Sequence, residues 1–144
     1  EWQMGTIQLD FQQPRRFELE YTAADGSKKT PVAIHRVIYG SLERFIGILI
    51  EHFKGAFPTW LAPVQVAVLP ISDKQNAYAQ KVYDELKEAG FRTELNTDNE
   101  SIGKKIRQAE LMKIPYLLII GEKELKAKRV AVRKRKAPSV QPKL

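Results

Sequence analysis

The sequence predicts an α/β protein in two unlike parts. Antiparallel strands and one helix come first, and a mixed, mainly parallel sheet flanked by helices follows. Three observations predict it. The first residues alternate apolar with polar, two later runs are apolar but for a single glutamine and are each led or followed by helical spacing, and a segment with two prolines separates the two rhythms.

From Glu1 to Phe11, Ile7, Leu9 and Phe11 fall on one side and Gln8 and Asp10 on the other, the period of a half-buried strand. A second strand over Phe17–Thr22 meets the turn signal Ala24-Asp25-Gly26-Ser27, and the chain returns through Val32–Tyr39. A sheet that opens inside a strand is expected to pair with strands from elsewhere. After Gly40 and Ser41, the residues Leu42, Phe45, Ile46, Leu49 and Ile50 recur at helical spacing up to His52, whose imidazole suits a helix C-terminus. Phe57–Pro63 then stops regular structure and marks the expected boundary, giving residues 1–60, 61–136 and a tail of 137–144.

Val64–Ile71 is apolar but for Gln65, the near-continuous run expected of a strand covered on both faces. Ser72 and Asp73 can cap a helix that runs to about Ala89 and stops at Gly90. Phe91–Leu95 predicts a short strand. Ile102, Ile106, Ala109 and Leu111 or Met112 mark a second helix, stopped by Pro115. Tyr116–Ile120 is another buried strand, Gly121 begins a turn, and Val130–Arg133 closes the series. Ala137–Leu144 holds two prolines and little apolar content.

The hydrophobic fraction of 43% fits a folded domain, and no apolar run nears the roughly 20 residues that span a bilayer. No secretion signal opens the sequence, and with no cysteine there is no disulfide or thiolate metal site. These features suit a cytoplasmic protein, or an organellar one whose targeting segment lies outside the sequence. The net charge of +7 is uneven: residues 101–144 carry 13 Lys and Arg against 3 Asp and Glu, while the rest is slightly acidic. A basic end on a near-neutral body suits phosphate backbones, and equally a solvated charged face.

The most informative string runs from Pro31 to His52. A strand carrying His35 delivers Gly40, Ser41 and then Arg44 in the first turn of a helix. Glycine permits close backbone approach, and the planar guanidinium fork suits phosphate and can lie over a purine. Taken alone, His35 reads as a core histidine and Arg44 as half of a surface ion pair with Glu43 or another acid.

The whole string resembles the third signature motif of class II aminoacyl-tRNA synthetases in its threonyl form, in which a histidine stands nine residues before the motif arginine, as His35 does before Arg44. The resemblance extends through Trp2–Phe11 and Phe57–Val66 and, more loosely, to about Lys136. It implies the end of a class II antiparallel sheet, an α+β arrangement, followed by an anticodon-binding domain. It implies a threonine–tRNA ligase that uses ATP with Mg2+ and works as a homodimer on threonine and tRNA-Thr, away from membranes. His35 would be one of three ligands to a zinc ion that holds the threonine amino and hydroxyl groups. Gln3, Thr6 and Gln8 would line the adenylate and amino-acid pocket, Ser41 would sit beside the adenosine, and Arg44 would bind ATP, with Gln3 and Arg44 the residues nearest the chemistry. Met4 departs from the family, which usually has cysteine there, and an altered pocket shape is expected.

In the second half the resemblance makes Asn99, Glu124 and Arg133 readers of anticodon bases, and Lys104, Lys105, Arg107, Lys134, Arg135 and Lys136 phosphate contacts. Asn99 and Glu100 can equally serve a helix start, and Lys134–Lys136 a charged edge strand. The family normally adds a further helix where Ala137–Leu144 stands. The alternative is a non-catalytic RNA-binding or scaffold remnant of such a synthetase. The remaining zinc ligands and class II motifs are expected upstream, so this segment by itself should show no ATP–pyrophosphate exchange. Measurable exchange would overturn that expectation.

Overall fold

The computed structural model describes residues 2–135. The chain divides into two compact units, Glu1–Leu49 and Ile50–Leu144.

The first unit begins with β1 (Thr6–Asp10), a short helix α1 (Gln13–Arg16), β2 (Tyr21–Thr22), β3 (Lys28–Lys29) and β4 (Ala33–Val37), and α2 (Leu42–Phe53) starts in it. β1 and β4 pair antiparallel with Thr6 opposite Val37 and Gln8 opposite His35. The returning strand therefore pairs with β1, while the expected hairpin shrinks to the two-residue β2 and β3. Residues 17–20 stay out of any strand because α1, absent from the alternating pattern, intervenes. α1 forms because the Asp10 carboxylate accepts from the Gln12 and Gln13 N–H groups at 2.8 and 3.0 Å and Pro14 presets φ in its first turn. Pro14 is the one buried residue in this unit among those described; Ile7, Leu9 and Ile34 are exposed together on one face of the β1–β4 pair.

The second unit holds the core. Its sheet runs β6 (Thr93–Leu95), β5 (Val66–Pro70), β7 (Tyr116–Ile120), β8 (Ala131–Lys134), parallel except for β8. That is the mixed, mainly parallel sheet the sequence predicts. Every residue of β5 is buried. Its alternation splits the core in two. Val66 and Val68 join Leu118 and Ile120 under Ala79 of α3 (Asn76–Glu88), while Ala67 and Leu69 join Leu117 under Ala109 of α4 (Ile102–Leu111). Ser72 does open the helical stretch: the Gln75 side-chain oxygen accepts from its N–H and hydroxyl across a single 3-10 turn that leads into α3. Gly121 begins a helix rather than a simple turn, α5 (Glu122–Ala127), because the Glu124 carboxylate accepts from the Gly121 N–H at 3.0 Å. A Cβ at Gly121 would stand 2.9 Å from both that carboxylate and the end of the Ile71 side chain, so a larger residue would have to displace them.

α2 ends at a left-handed Gly55 (φ +74°), whose N–H returns to the Ile50 carbonyl. The turn that follows is tied to the far end of the sheet. The Arg135 guanidinium donates to the Ala56 and Phe57 carbonyls at 3.0 and 2.6 Å and to that of Lys113, and the Lys113 ammonium donates to the Lys54 carbonyl. Among the described residues no helix is long and apolar enough to cross a membrane.

In the β2–β3 turn the Ser27 hydroxyl and N–H and the Lys29 ammonium all converge on Asp25, which holds its carboxyl below the ordinary carboxylate range. A depressed pKa contributes stability above the ordinary range and loses it as the pH falls through the folded value. The Ser27 amide should therefore stay protected from exchange at neutral pH and open in acid, and Asp25→Asn should flatten that dependence in an NMR pH series.

Candidate functional site

The β1–β4 register gathers one group of predicted site residues. Thr6, Gln8 and Asp10 share a face of β1, and His35 stands across from Gln8 on β4. The His35 Nε2 lies 3.1 Å from the Asp10 Oδ2. Gln8, Asp10, Gln12, Gln13 and His35 line an open cleft of about 650 Å³, which Gln3, Thr6, Ser41 and Arg44 do not line. Hydrogen bonds from the Gln13 and Gln12 N–H groups, with His35 adding a smaller effect, hold the Asp10 carboxyl below its ordinary range.

Gly40 adopts φ +67°, the left-handed conformation that glycine takes without strain, where the chain turns into α2 beside the Gln3–Met4 backbone. The Ser41 hydroxyl accepts from the Arg44 N–H at 3.2 Å and caps α2. Among the described residues the Arg44 guanidinium has no ion-pair partner, Glu43 included; it is exposed.

In the second unit, Asn99 lies in the loop after β6 and Glu124 in the helix after β7, so both stand at the carboxyl ends of parallel strands, where such sheets present ligand sites. Asn99 is exposed; Glu124 spends one oxygen on its helix start. Arg133 stands across from Leu117, toward the other end of β7, and its guanidinium lies 2.6 Å from the Glu110 carboxylate of α4. Glu110, Arg133, Lys134 and Arg135 line a second cleft of about 650 Å³. Arg107 is exposed on α4, and Lys134 places its ammonium 6.0 Å from the Tyr116 ring centre. Lys104 is exposed and paired with Glu100 at 2.6 Å.

Two of the expected phosphate contacts are otherwise engaged. Lys105 is 3% exposed, and its ammonium donates to the Pro70 and Asn96 carbonyls at 3.1 and 3.2 Å, where β5 and β6 end. Arg135 is occupied by the three carbonyls described above, and its partial burial lowers its pKa. Neither charge is free for a phosphate. Lys136 and the expected tail lie outside the described residues.

With this geometry in view, the family models are decisive. One described as "Anticodon binding domain" matches residues 65–142, more than half of the chain. The chain belongs to that family. A second model, "tRNA synthetase class II core domain (G, H, P, S and T)", matches residues 1–53, ahead of the anticodon-binding match. The threonine–tRNA ligase of Caldanaerobacter subterraneus subsp. tengcongensis is 64% identical over 135 residues, 94% of this chain and 21% of that protein. The Clostridium tetani threonine–tRNA ligase is 62% identical over the same shares. The crystal structure of the RNA binding domain of threonyl-tRNA synthetase from Cryptosporidium parvum Iowa II superposes with a TM-score of 0.82 at 44% identity, covering 94% of this chain and 34% of that one. The chain thus spans about a fifth (21%) of the length of the curated relatives it matches.

Sequence reasoning missed Asp10 and Glu110 as partners of His35 and Arg133. Asp10 could be placed on the Gln8 face by alternation, but its neighbour follows only from the β1–β4 register. For Glu110 no sequence signal exists, because 22 intervening residues separate it from Arg133.

Lys105 and Lys104, adjacent in sequence, should separate cleanly in urea denaturation of the anticodon-binding domain. Lys105→Met leaves two interior carbonyls without a donor and should cost about 1–3 kcal/mol. Lys104→Met removes the partner of a partly covered carboxylate but leaves Glu100 a path to water, and should cost less, at about 1 kcal/mol or below.

Proposed function

We propose that this chain is a segment of an ATP-dependent threonine–tRNA ligase, with residues 1–60 belonging to the catalytic domain, residues 61–136 binding the tRNA-Thr anticodon, and residues 137–144 a tail. The observation that carries the reading is the pairing of Gln8 with His35 on one sheet face, in a chain that also carries an anticodon-binding domain.

In this reading Thr6, Gln8 and Gln3 surround the amino acid and its adenylate, Ser41 borders the adenosine, and the unpaired guanidinium of Arg44 grips the triphosphate of ATP-Mg2+. The threonine carboxylate attacks the α-phosphate to form threonyl-adenylate as pyrophosphate leaves, and a terminal ribose hydroxyl of tRNA then takes the threonyl group as AMP leaves. Positioning and charge stabilisation supply most of the acceleration in such transfers. Among the described residues no three His, Cys, Asp or Glu side chains gather, so a zinc centre needs donors from outside this segment. His35, a partly exposed imidazole backed by a carboxylate, fits as one donor. Bound zinc would supply a Lewis acid for the threonine amino and hydroxyl groups. The exposed face of Ile7, Leu9 and Ile34 is the surface on which the rest of the catalytic domain would pack, in a cytoplasmic or organellar homodimer.

Asn99, Glu124 and Arg133 read unstacked anticodon bases through their edges, while Lys104, Arg107 and Lys134 hold phosphates. Lys136 joins the phosphate set by its place in the sequence. Arg133→Ala in the chain should weaken cognate tRNA-Thr about 10- to 100-fold and erase discrimination against an anticodon-swapped tRNA, measured by filter binding at fixed salt. An equal small loss for both tRNAs would reduce Arg133 to a phosphate contact.

A further inference from the structure

We propose that Asp10 is the positioning residue that fixes the tautomer of His35, keeping the proton on Nε2 and presenting the Nδ1 lone pair to a metal ion. The proposal deepens the ligase reading and rests on His35 being a zinc donor.

The geometry assigns the two carboxylate oxygens different tasks. Oδ1 accepts from the Gln12 and Gln13 N–H groups, which pins the side chain at the end of β1. Oδ2 then faces His35 Nε2 at 3.1 Å. An ionised carboxylate only accepts, so Nε2 must carry the hydrogen. In a neutral ring, Nδ1 is then the free lone pair, and no described residue bonds it. A metal ligand must be an unprotonated ring nitrogen, and a carboxylate on the other nitrogen orients the ring and raises its basicity. The pair lines an open cleft, and the imidazole is 45% exposed, so a ligand can reach it. Asp10 keeps its own bonds to the α1 backbone whichever tautomer His35 adopts. Nothing in the fold of α1 requires the histidine, and the contact therefore serves the imidazole.

Asp10→Asn discriminates, because it is nearly isosteric. The amide oxygen would keep the two backbone donors, and the NH2 group would take the place of Oδ2. An NH2 donates, so Nε2 becomes the acceptor and the proton moves to Nδ1, where it blocks the metal. In the 15N-histidine-labelled chain, long-range 1H–15N spectra at neutral pH should show the Nε2–H tautomer for His35 and the Nδ1–H tautomer in Asp10→Asn, with His52 unchanged as internal reference. An unchanged His35 pattern overturns the proposal. In the full-length ligase containing this segment, competition with a chromophoric chelator should show zinc binding weakened about 10- to 100-fold by Asp10→Asn and abolished by His35→Ala. Wild-type zinc affinity in Asp10→Asn, with loss in His35→Ala, overturns the positioning role and leaves the ligase reading standing. Full zinc retention in His35→Ala overturns the assignment of His35 as a donor, and the role of Asp10 with it.

Discussion

β5 has no solvent on either face, and from that constraint much of the second unit follows. Each buried C=O of Val66–Pro70, and each N–H of Val66–Leu69, needs a partner, so the strand must sit between two others. It takes β6 on one side and β7 on the other, both parallel to it. Parallel pairing brings the carboxyl ends of three strands to one edge, and the loops that leave them carry Asn99, the start of α4 and Glu124. The last carbonyls there lie beyond the ladder, and the buried Lys105 ammonium takes two of them. A cation is well suited to that place, because it offers three donors and needs no acceptor. The candidate anticodon face is therefore built around a buried charge held by backbone carbonyls.

This explains which parts of the fold were legible. Val66–Pro70 and Tyr116–Ile120 announce themselves because burial on both faces favours unbroken apolar runs, and α3 and α4 follow from one-sided apolar spacing. β1 was legible from alternation; its partner was not, since the turn at Ala24–Ser27 suggests a local hairpin and a turn cannot say how far the pairing extends. α1 and α5 are only a few residues long, too short for any period to register. Both are instead started by a carboxylate accepting a backbone N–H, from Asp10 and from Glu124. Such caps are specified by three-dimensional contact as much as by spacing.

The basic residues show the same limit at the site. Lys104 and Lys105 are neighbours in sequence with opposite fates, one exposed in an ion pair and the other 3% exposed between carbonyls. Position on α4 decides it: Lys105 falls on the stripe of Ile102 and Ala109, which faces the sheet. Arg133, Lys134 and Arg135 likewise part company, because alternate residues of β8 face opposite sides and Arg135 lies past the strand beside the α2 turn. A count of charges cannot separate a phosphate contact from an internal brace. Helical and strand periodicity could have done so for Lys105, had it been applied to polar residues as it was to apolar ones.

The first unit places its site by other means. With Pro14 its one buried residue among those described, it has little apolar packing of its own to fix side-chain directions. A binding constellation held to within a fraction of an ångström needs its rotamers locked by packing or by hydrogen bonds. Here hydrogen bonds take that part. A single carboxylate links the end of β1, the start of α1 and the imidazole of β4, and Ser41 fixes the first turn of α2 in the same way. Each of these bonds involves a backbone group or a ring whose position the strand register has already set, so little further ordering is required. The cost falls on the uncovered face, where Ile7, Leu9 and Ile34 keep most of their apolar surface in water. Residues that orient the site are thus satisfied within the segment, while the residues that would stabilise it as a folded body are not. That asymmetry is expected of a sheet edge whose chemistry is local and whose core is shared.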